Sequence, residues 1–188
     1  MIVGLVLAGG RSERFGSEKA MAELDGRPMV AIAVERLRQT CAAVAVSARP
    51  NTGAAAWAEA EGLTVIYDEP GDADGPLAGV RAGLIWARDQ GADRLASLPC
   101  DVPGAPPDLL KRLTAGLDGY QIAFAQTDQG PQPLCAIWRV SALGLLTQAM
   151  ADGAHPPVRQ FASFAGANPV RFDDADAFAN LNRPEDLR

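Results

Sequence analysis

The sequence predicts a three-layer α/β sandwich, in which helices cover both faces of a mostly parallel sheet. Short apolar runs, each suited to one buried strand, alternate along the chain with stretches in which apolar residues recur at helical spacing. The first run, residues 2–8, is apolar at nearly every position, as expected of a strand buried on both faces of a parallel sheet. These observations indicate a Rossmann-like architecture.

Further elements follow in the same alternation. Apolar runs predict later strands at residues 43–47, 64–67, 94–98, 122–125 and 134–138. Three apolar stripes predict helices, and they consist of Met29, Ile32, Ala33 and Leu37, then Leu77, Val80, Leu84 and Ile85, then Leu109, Leu110, Leu113 and Leu117. No repeat or linker divides the sequence, so we expect a single domain over residues 1–188.

The bulk properties exclude several classes of protein. A net charge of −6 argues against a general nucleic-acid binder, which would present a basic face. The N-terminal apolar run has no basic region before it and is too short to span a membrane. Three widely spaced cysteines suggest a reduced compartment without a disulfide framework. We therefore expect a cytoplasmic protein with neither nucleic-acid nor membrane partners.

The unusual residues lie in the loops that follow predicted strands. Open α/β sheets bind ligands beyond the carboxyl ends of their strands, so these loops are where function is expected. They are residues 9–16 after the first strand, residues 68–71 after the third and residues 99–101 after the fourth.

The loop after the first strand suits a triphosphate. Gly9 and Gly10 leave room for backbone N–H groups to approach a phosphate, and Arg11, Arg14 and Lys19 supply three cations. Such cations neutralise the charge that grows on a leaving pyrophosphate. The spacing fits neither the P-loop nor the dinucleotide fingerprint. A plain glycine turn with solvated cationic side chains is the alternative interpretation.

Five blocks of sequence carry a resemblance to a known family. Leu7-Ala8-Gly9-Gly10-Arg11-Ser12-x-Arg14-Phe15-Gly16-x-x-Lys19 resembles the signature of the molybdenum cofactor guanylyltransferases. The other blocks follow in the family's order over almost the whole chain. They are Asp25-Gly26-Arg27-Pro28-Met29, Gly75-Pro76-Leu77-Ala78-Gly79, Pro99-Cys100-Asp101-Val102-Pro103 and Asn180-Leu181-Asn182-Arg183-Pro184-Glu185-Asp186-Leu187.

The resemblance implies a set of residues for binding GTP and for catalysis. Arg14 and Lys19 would hold the phosphates, and together with Asp101 they would be the catalytic residues. Asp101 would bind Mg²⁺, the implied cofactor, since a hard cation prefers carboxylate oxygen. The residues implied to contact GTP are Leu7, Ala8, Gly9, Gly10, Lys19, Asp68 and Asp101.

Three of the implied site residues also have a structural interpretation. Asp101 could instead cap a following helix, although Pro103-Gly104-Ala105-Pro106 places that helix far along the chain. Asn180 and Asn182 resemble the family's residues in the acceptor or metal region. Both could also cap the helix that begins near Arg183.

The implied reaction joins the terminal phosphate of molybdopterin to the α-phosphorus of GTP and releases pyrophosphate. An anionic phosphate needs no general base, which agrees with a chain whose only histidine is His155. GTP and molybdopterin are thus the implied partners. Other proteins of cofactor biosynthesis and molybdoenzyme chaperones are further candidates.

The chain departs from the family pattern at three places. It has Gln132-Pro133 where His-Pro is usual, a single Arg159 where an arginine pair is usual, and Ser47 where some members carry asparagine. The first two departures fall in the region expected to hold the pterin, so the acceptor is less well supported than the triphosphate.

Two other functions and one further site remain open at this stage. One alternative is a cytidylyltransferase acting on the molybdenum cofactor or on a sugar or polyol phosphate. Another is a non-catalytic nucleotide-binding module. Trp57, Trp86 and Trp138 could stack on the pterin, although large aromatic residues are more often part of the core.

Overall fold

The computed structural model describes residues 1–10, 18–68, 75–182 and 186. The strands are β1 (Ile2–Leu7), β2 (Glu23–Leu24), β3 (Arg27–Pro28), β4 (Val44–Ser47), β5 (Thr64–Ile66), β6 (Arg94–Pro99), β7 (Ile122–Thr127), β8 (Gly130–Arg139) and β9 (Asn168–Arg171). The α-helices are α1 (Met29–Arg38), α2 (Gly53–Ala60), α3 (Pro76–Asp89), α4 (Leu109–Gly116), α5 (Leu143–Ala149) and α6 (Val158–Phe164).

One seven-stranded sheet forms the middle layer, in the order β5-β4-β1-β6-β8-β7-β9. Strand β8 runs antiparallel to both of its neighbours, and the other pairings in this sheet are parallel. The first strand therefore lies between β4 and β6, where Leu5 pairs with Ala45 and Ser97. The prediction of a mostly parallel sheet is confirmed.

Apolar side chains on the two faces of the sheet form two separate core clusters. Val3 and Leu5 point to the face covered by α3, α5 and α6. Val6 points to the face covered by α1, α2 and α4. This alternation along β1 explains why its sequence is apolar throughout, since both faces are buried. The three-layer α/β sandwich is thus confirmed.

All six predicted strands and all three predicted helices correspond to observed elements and differ from them only at their ends; β7 and β8 are longer than predicted. The strand β9 was not predicted, because Asn168-Pro169-Val170-Arg171 contains little apolar sequence and forms a strand only by pairing with β7. Helix α2 was missed because its alanines form no distinct apolar stripe, although Thr52 caps its first turn. The prediction also omitted α5, α6 and the short β2–β3 hairpin.

Within the described ranges, no helix has the length and apolar character needed to cross a membrane.

Candidate active site

A cavity of about 870 Å³ opens at the edge of the sheet where β1 and β6 end. Because β8 runs in the opposite direction, its first residues reach the same edge. The first residues of α3 and α6 complete the walls. The lining residues are Leu7, Ala8, Gly9, Gly10, Lys19, Ala20, Ser47, Arg49, Asp68, Gly75, Pro76, Gly79, Pro99, Cys100, Asp101, Pro131, Gln132, Pro133, Leu134, Cys135, Pro157, Val158, Arg159 and Asn180.

Lys19 joins distant parts of the chain at this cavity. It begins a short 3₁₀ turn, Lys19–Met21, and its Nζ donates to Asp101 Oδ2 at 2.7 Å and to Asn182 Oδ1 at 2.7 Å. The side chains of Lys19 and Asp101 are 14% and 24% exposed, so the ion pair is screened by solvent only in part. Two opposite charges therefore meet at one end of the cavity.

The C-terminal segment is fixed to the loop that carries Asp101. The backbone N–H of Leu181 donates to the carbonyl of Asp101 at 3.0 Å, and the N–H of Asn182 donates to the Asp186 carboxylate at 2.7 Å. These bonds place the amide of Asn182 beside Lys19. Asn180 lines the cavity. The helix that either asparagine was expected to cap would begin outside the described residues.

Asp101 does not cap a helix. The next helix, α4, begins at Leu109, and Asp108 precedes it. The carboxylate of Asp101 instead contacts Lys19 and lines the cavity. Among the residues that the structure describes, no cluster of three or more His, Cys, Asp or Glu could hold a metal by itself. One carboxylate suits Mg²⁺, which usually takes its remaining ligands from phosphate and water.

The other residues predicted to contact GTP all line the same cavity. Leu7, Ala8, Gly9 and Gly10 line it from the end of β1, and the exposed Asp68 lines it after β5. Arg14, predicted as a catalytic residue, lies outside the described residues.

Two glycines of the block at residues 75–79 allow close packing around the cavity. A Cβ added at Gly75 would overlap the imidazole of His155, and one added at Gly79 would lie 2.7 Å from Ser47 Oγ. Any side chain at either position would push these groups apart. The absence of side chains there lets α3 begin against β4 and against the loop that carries His155.

The cysteines at the cavity are not activated nucleophiles. Burial raises the pKa of the Cys100 thiol to about 12, and the neighbouring Asp101 carboxylate adds to this effect. Burial also raises the pKa of Cys135. Both thiols therefore stay protonated at neutral pH, as structural cysteines do.

Sequence reasoning missed part of the cavity wall. Arg49 is exposed two residues beyond the end of β4 and lines the cavity. The rule that ligands bind beyond the carboxyl ends of the strands, here called the strand-end rule, singled out the other loops and would have found Arg49. All three departures from the family pattern also line the cavity, through Ser47, Gln132 and Arg159.

The tryptophans belong to the core and not to the cavity. Trp138 is fully buried, donates from Nε1 to Ser97 Oγ at 2.8 Å and stacks on Phe161 with ring centroids 6.4 Å apart. Trp57 and Trp86 are partly buried against the two core clusters. None of the three is among the cavity-lining residues of the described chain, so the structure favours the core interpretation over the stacking alternative.

The family of the chain follows from a comparison with known proteins. The model of the MobA-like NTP transferase domain matches residues 4–165. The chain belongs to this family. Its enzyme class is therefore nucleotidyltransferase, and the match spans the strand-end loops that line the cavity.

Curated relatives agree with this family over nearly the whole chain. A molybdenum cofactor guanylyltransferase of Cereibacter sphaeroides is 41% identical over 99% of this chain and 93% of its own length. One from Rhodobacter capsulatus is 39% identical, with the same coverage. The resemblance to the molybdenum cofactor guanylyltransferases is thereby confirmed.

The fold also has solved counterparts. The structure of molybdopterin-guanine dinucleotide biosynthesis protein A from Archaeoglobus fulgidus matches with a TM-score of 0.77, covering 100% of this chain and 95% of that one. At 24% sequence identity, this likeness concerns the fold.

Proposed function

We propose that this chain transfers GMP from magnesium-bound GTP to the terminal phosphate of molybdopterin or the molybdenum cofactor, releasing pyrophosphate. The observation that carries the proposal is the contact of Lys19 with Asp101 at the cavity edge. It joins a cation suited to phosphate and a carboxylate suited to Mg²⁺ in a member of a nucleotidyltransferase family. The curated relatives named guanylyltransferases support guanine as the base and the molybdenum cofactor as the acceptor.

The nucleotide is proposed to bind on the side of the cavity formed by β1, β4 and α3. Leu7, Ala8, Gly9 and Gly10 would face its base and ribose, with Asp68 beside them. Backbone hydrogen bonds hold this end of the sheet, from Ala8 N–H to Ser47 O at 2.8 Å and from Cys100 N–H to Leu7 O at 3.1 Å. A rigid strand end suits recognition by backbone groups, because the geometry is set before the ligand arrives.

The acceptor is proposed to bind against the first residues of β8 and α6. Gln132 and Arg159 line this wall and offer an amide and a guanidinium to a phosphorylated pterin. The cavity volume of about 870 Å³ lies near the upper end of the range for small-molecule sites, which suits two substrates side by side.

Catalysis is proposed to depend on positioning and charge neutralisation. Bound Mg²⁺ would supply Lewis-acid stabilisation of the charge on the phosphates. Lys19 would hold the triphosphate in line with the acceptor phosphate, with Arg14 as a second cation, and Asp101 would hold the metal. Asn182 would orient Lys19 through its hydrogen bond, and Asn180 would line the part of the cavity that holds the acceptor or the metal. The acceptor oxygen is already anionic, so no residue needs to remove a proton from it.

The proposal also covers the domain organisation, the localisation and the protein partners of the enzyme. Residues from both ends of the chain meet at this cavity, which supports one functional domain over residues 1–188. The cysteines are free and buried, which supports the cytoplasm, a reducing compartment. Proteins that supply the molybdenum cofactor or receive the product are the proposed partners.

Calorimetric titration with GTP, CTP and ATP, each with Mg²⁺, tests the nucleotide. Preferred binding of GTP, followed by pyrophosphate release when molybdopterin is added, is the expected result. Preference for CTP would favour the cytidylyltransferase alternative. GTP binding without pyrophosphate release on addition of the acceptor would favour the non-catalytic module.

A further inference from the structure

We propose that Glu18 is a positioning residue for the triphosphate, because it ties the turn that carries Lys19 to the N-terminus of α2. The inference rests on the proposed function of Lys19 and extends it to a residue outside the cavity lining. Glu18 directly precedes Lys19 in the chain, whereas α2 begins at Gly53.

The carboxylate of Glu18 caps α2 from a distance. Its Oε2 accepts from Gly53 N–H at 2.6 Å, and its Oε1 accepts from Ala54 N–H at 2.8 Å. The local cap, Thr52 Oγ1, accepts from the next N–H, that of Ala55, at 3.3 Å. The first three N–H groups of the helix thus have acceptors, and a carboxylate is favoured there by the helix dipole.

The backbone of Glu18 also begins the turn that carries Lys19. The N–H of Met21 donates to Glu18 O at 3.0 Å, and the N–H of Ala22 donates to Lys19 O at 3.0 Å. Ala20 is 2% exposed, so the turn is anchored in the core. Glu18 therefore joins α2 through its side chain and the turn through its backbone.

The approach of the two segments depends on glycine at position 53. A Cβ there would lie 2.9 Å from Glu18 Oε2 and 3.0 Å from Met21 Cγ. With no side chain at Gly53, the carboxylate and the turn pack directly on the start of α2. Strand β4 leads into α2, so the link fixes the turn relative to the sheet edge at the cavity.

This arrangement affects Lys19 through its backbone. A lysine side chain is long and flexible, and holding its ammonium at one point costs conformational entropy. A fixed backbone at its root reduces the volume that the ammonium explores, and here the ammonium lies 2.7 Å from Asp101 Oδ2. Loss of the Glu18 link should therefore weaken triphosphate binding without removing any group from the cavity.

A double-mutant cycle tests the proposal by calorimetry with GTP and Mg²⁺. Glu18→Ala should weaken GTP binding by up to about tenfold, the limit reached if the loss of one hydrogen bond to a charged group is transmitted in full to Lys19. In a Lys19→Met background the same change should have little further effect, because the residue through which Glu18 acts is gone. Glu18→Gln keeps one acceptor oxygen and should fall between wild type and Glu18→Ala.

Thr52→Ala is the matched control. It removes the local cap of the same helix and leaves the Lys19 turn intact, so it should lower thermal stability while GTP affinity stays at the wild-type value. Equal losses of GTP affinity in Thr52→Ala and Glu18→Ala would overturn the proposal, as would a full Glu18→Ala effect in the Lys19→Met background. Wild-type protein that binds no GTP would refute the proposed function itself, a result visible before any variant is measured.

Discussion

Lys19 and Asp101 are 82 residues apart in the chain, and their ammonium and carboxylate lie 2.7 Å apart at the end of the cavity. The proposed function assigns the phosphates to the first group and the metal to the second. Binding of magnesium-GTP would then replace their direct contact by contacts through the metal and the triphosphate. The pair thus links metal binding to nucleotide binding, and several consequences can be measured.

Asp101→Ala should lower the rate of magnesium-dependent pyrophosphate release by about 10²–10³-fold or more, because the variant loses its proposed metal ligand. The fold should persist, since the side chain is part of no core cluster. Asp108→Ala is the control, an exposed aspartate before α4. Wild-type turnover in Asp101→Ala would refute the metal assignment.

Lys19→Met should bind GTP more weakly and should bind Mn²⁺ without nucleotide about tenfold more tightly than wild type. Removing the ammonium takes away a positive charge 2.7 Å from the Asp101 carboxylate, so a metal cation no longer competes with it for that carboxylate. Electron paramagnetic resonance of free Mn²⁺ measures this affinity. Lys111→Met, on the exposed side of α4, should leave both affinities unchanged. Equal Mn²⁺ affinity in Lys19→Met and wild type would show that the two cations do not compete.

Asn182→Ala should raise the KM for GTP several-fold and leave the melting temperature nearly unchanged. The variant loses the amide oxygen that accepts from Lys19 Nζ, and a single exposed hydrogen bond contributes modestly. The backbone bond from Leu181 to Asp101 keeps the C-terminal segment in place. Gln148→Ala, an exposed amide on α5, is the control. Steady-state kinetics that match wild type would leave Asn182 without a role in holding Lys19.

Ser97→Ala should lower the free energy of unfolding by about 1–3 kcal/mol, because it removes the acceptor of the buried Trp138 Nε1 and the Ser97 donor to the partly buried Leu134 carbonyl. The Ser97 hydroxyl accepts from Trp138 Nε1 at 2.8 Å and donates to Leu134 O at 2.7 Å. Urea unfolding measures the loss. Ser141→Ala, at an exposed serine, should change stability by less than about 0.5 kcal/mol. Similar small losses in both variants would contradict this account of the Trp138 environment.

The secondary structure that was predicted correctly has strong local periodicity. Strand β1 is apolar throughout, and α3 carries a regular apolar stripe, so each element is recognisable without its neighbours. Helix α2 and strand β9 lack such patterns. They depend on partners elsewhere in the chain, which are Glu18 for the first turn of α2 and β7 for the pairing of β9.

Some residues of the proposed site were likewise found from local sequence, and others only from the tertiary structure. The strand-end rule and the family resemblance led to Lys19 and Asp101, and the resemblance alone led to Asn182, which sequence reasoning could equally assign to a helix cap. The roles of all three remain proposals. The strand-end rule missed Arg49, because it was applied only to loops with unusual residues. Neither the rule nor the resemblance pointed to Glu18, whose hydrogen-bond partners lie 35 and 36 residues away in the chain.

By itself the sequence determined the fold class and the family and led to the sheet edge proposed for the site, because these depend on local periodicity and on motifs of a few residues. Only the tertiary structure decided that one ammonium contacts both Asp101 and Asn182, that the tryptophans lie away from the cavity and that α2 is capped by Glu18. Such contacts join residues tens to more than a hundred positions apart. No local pattern specifies them, because they form only when the packed layers bring the ends of different strands together.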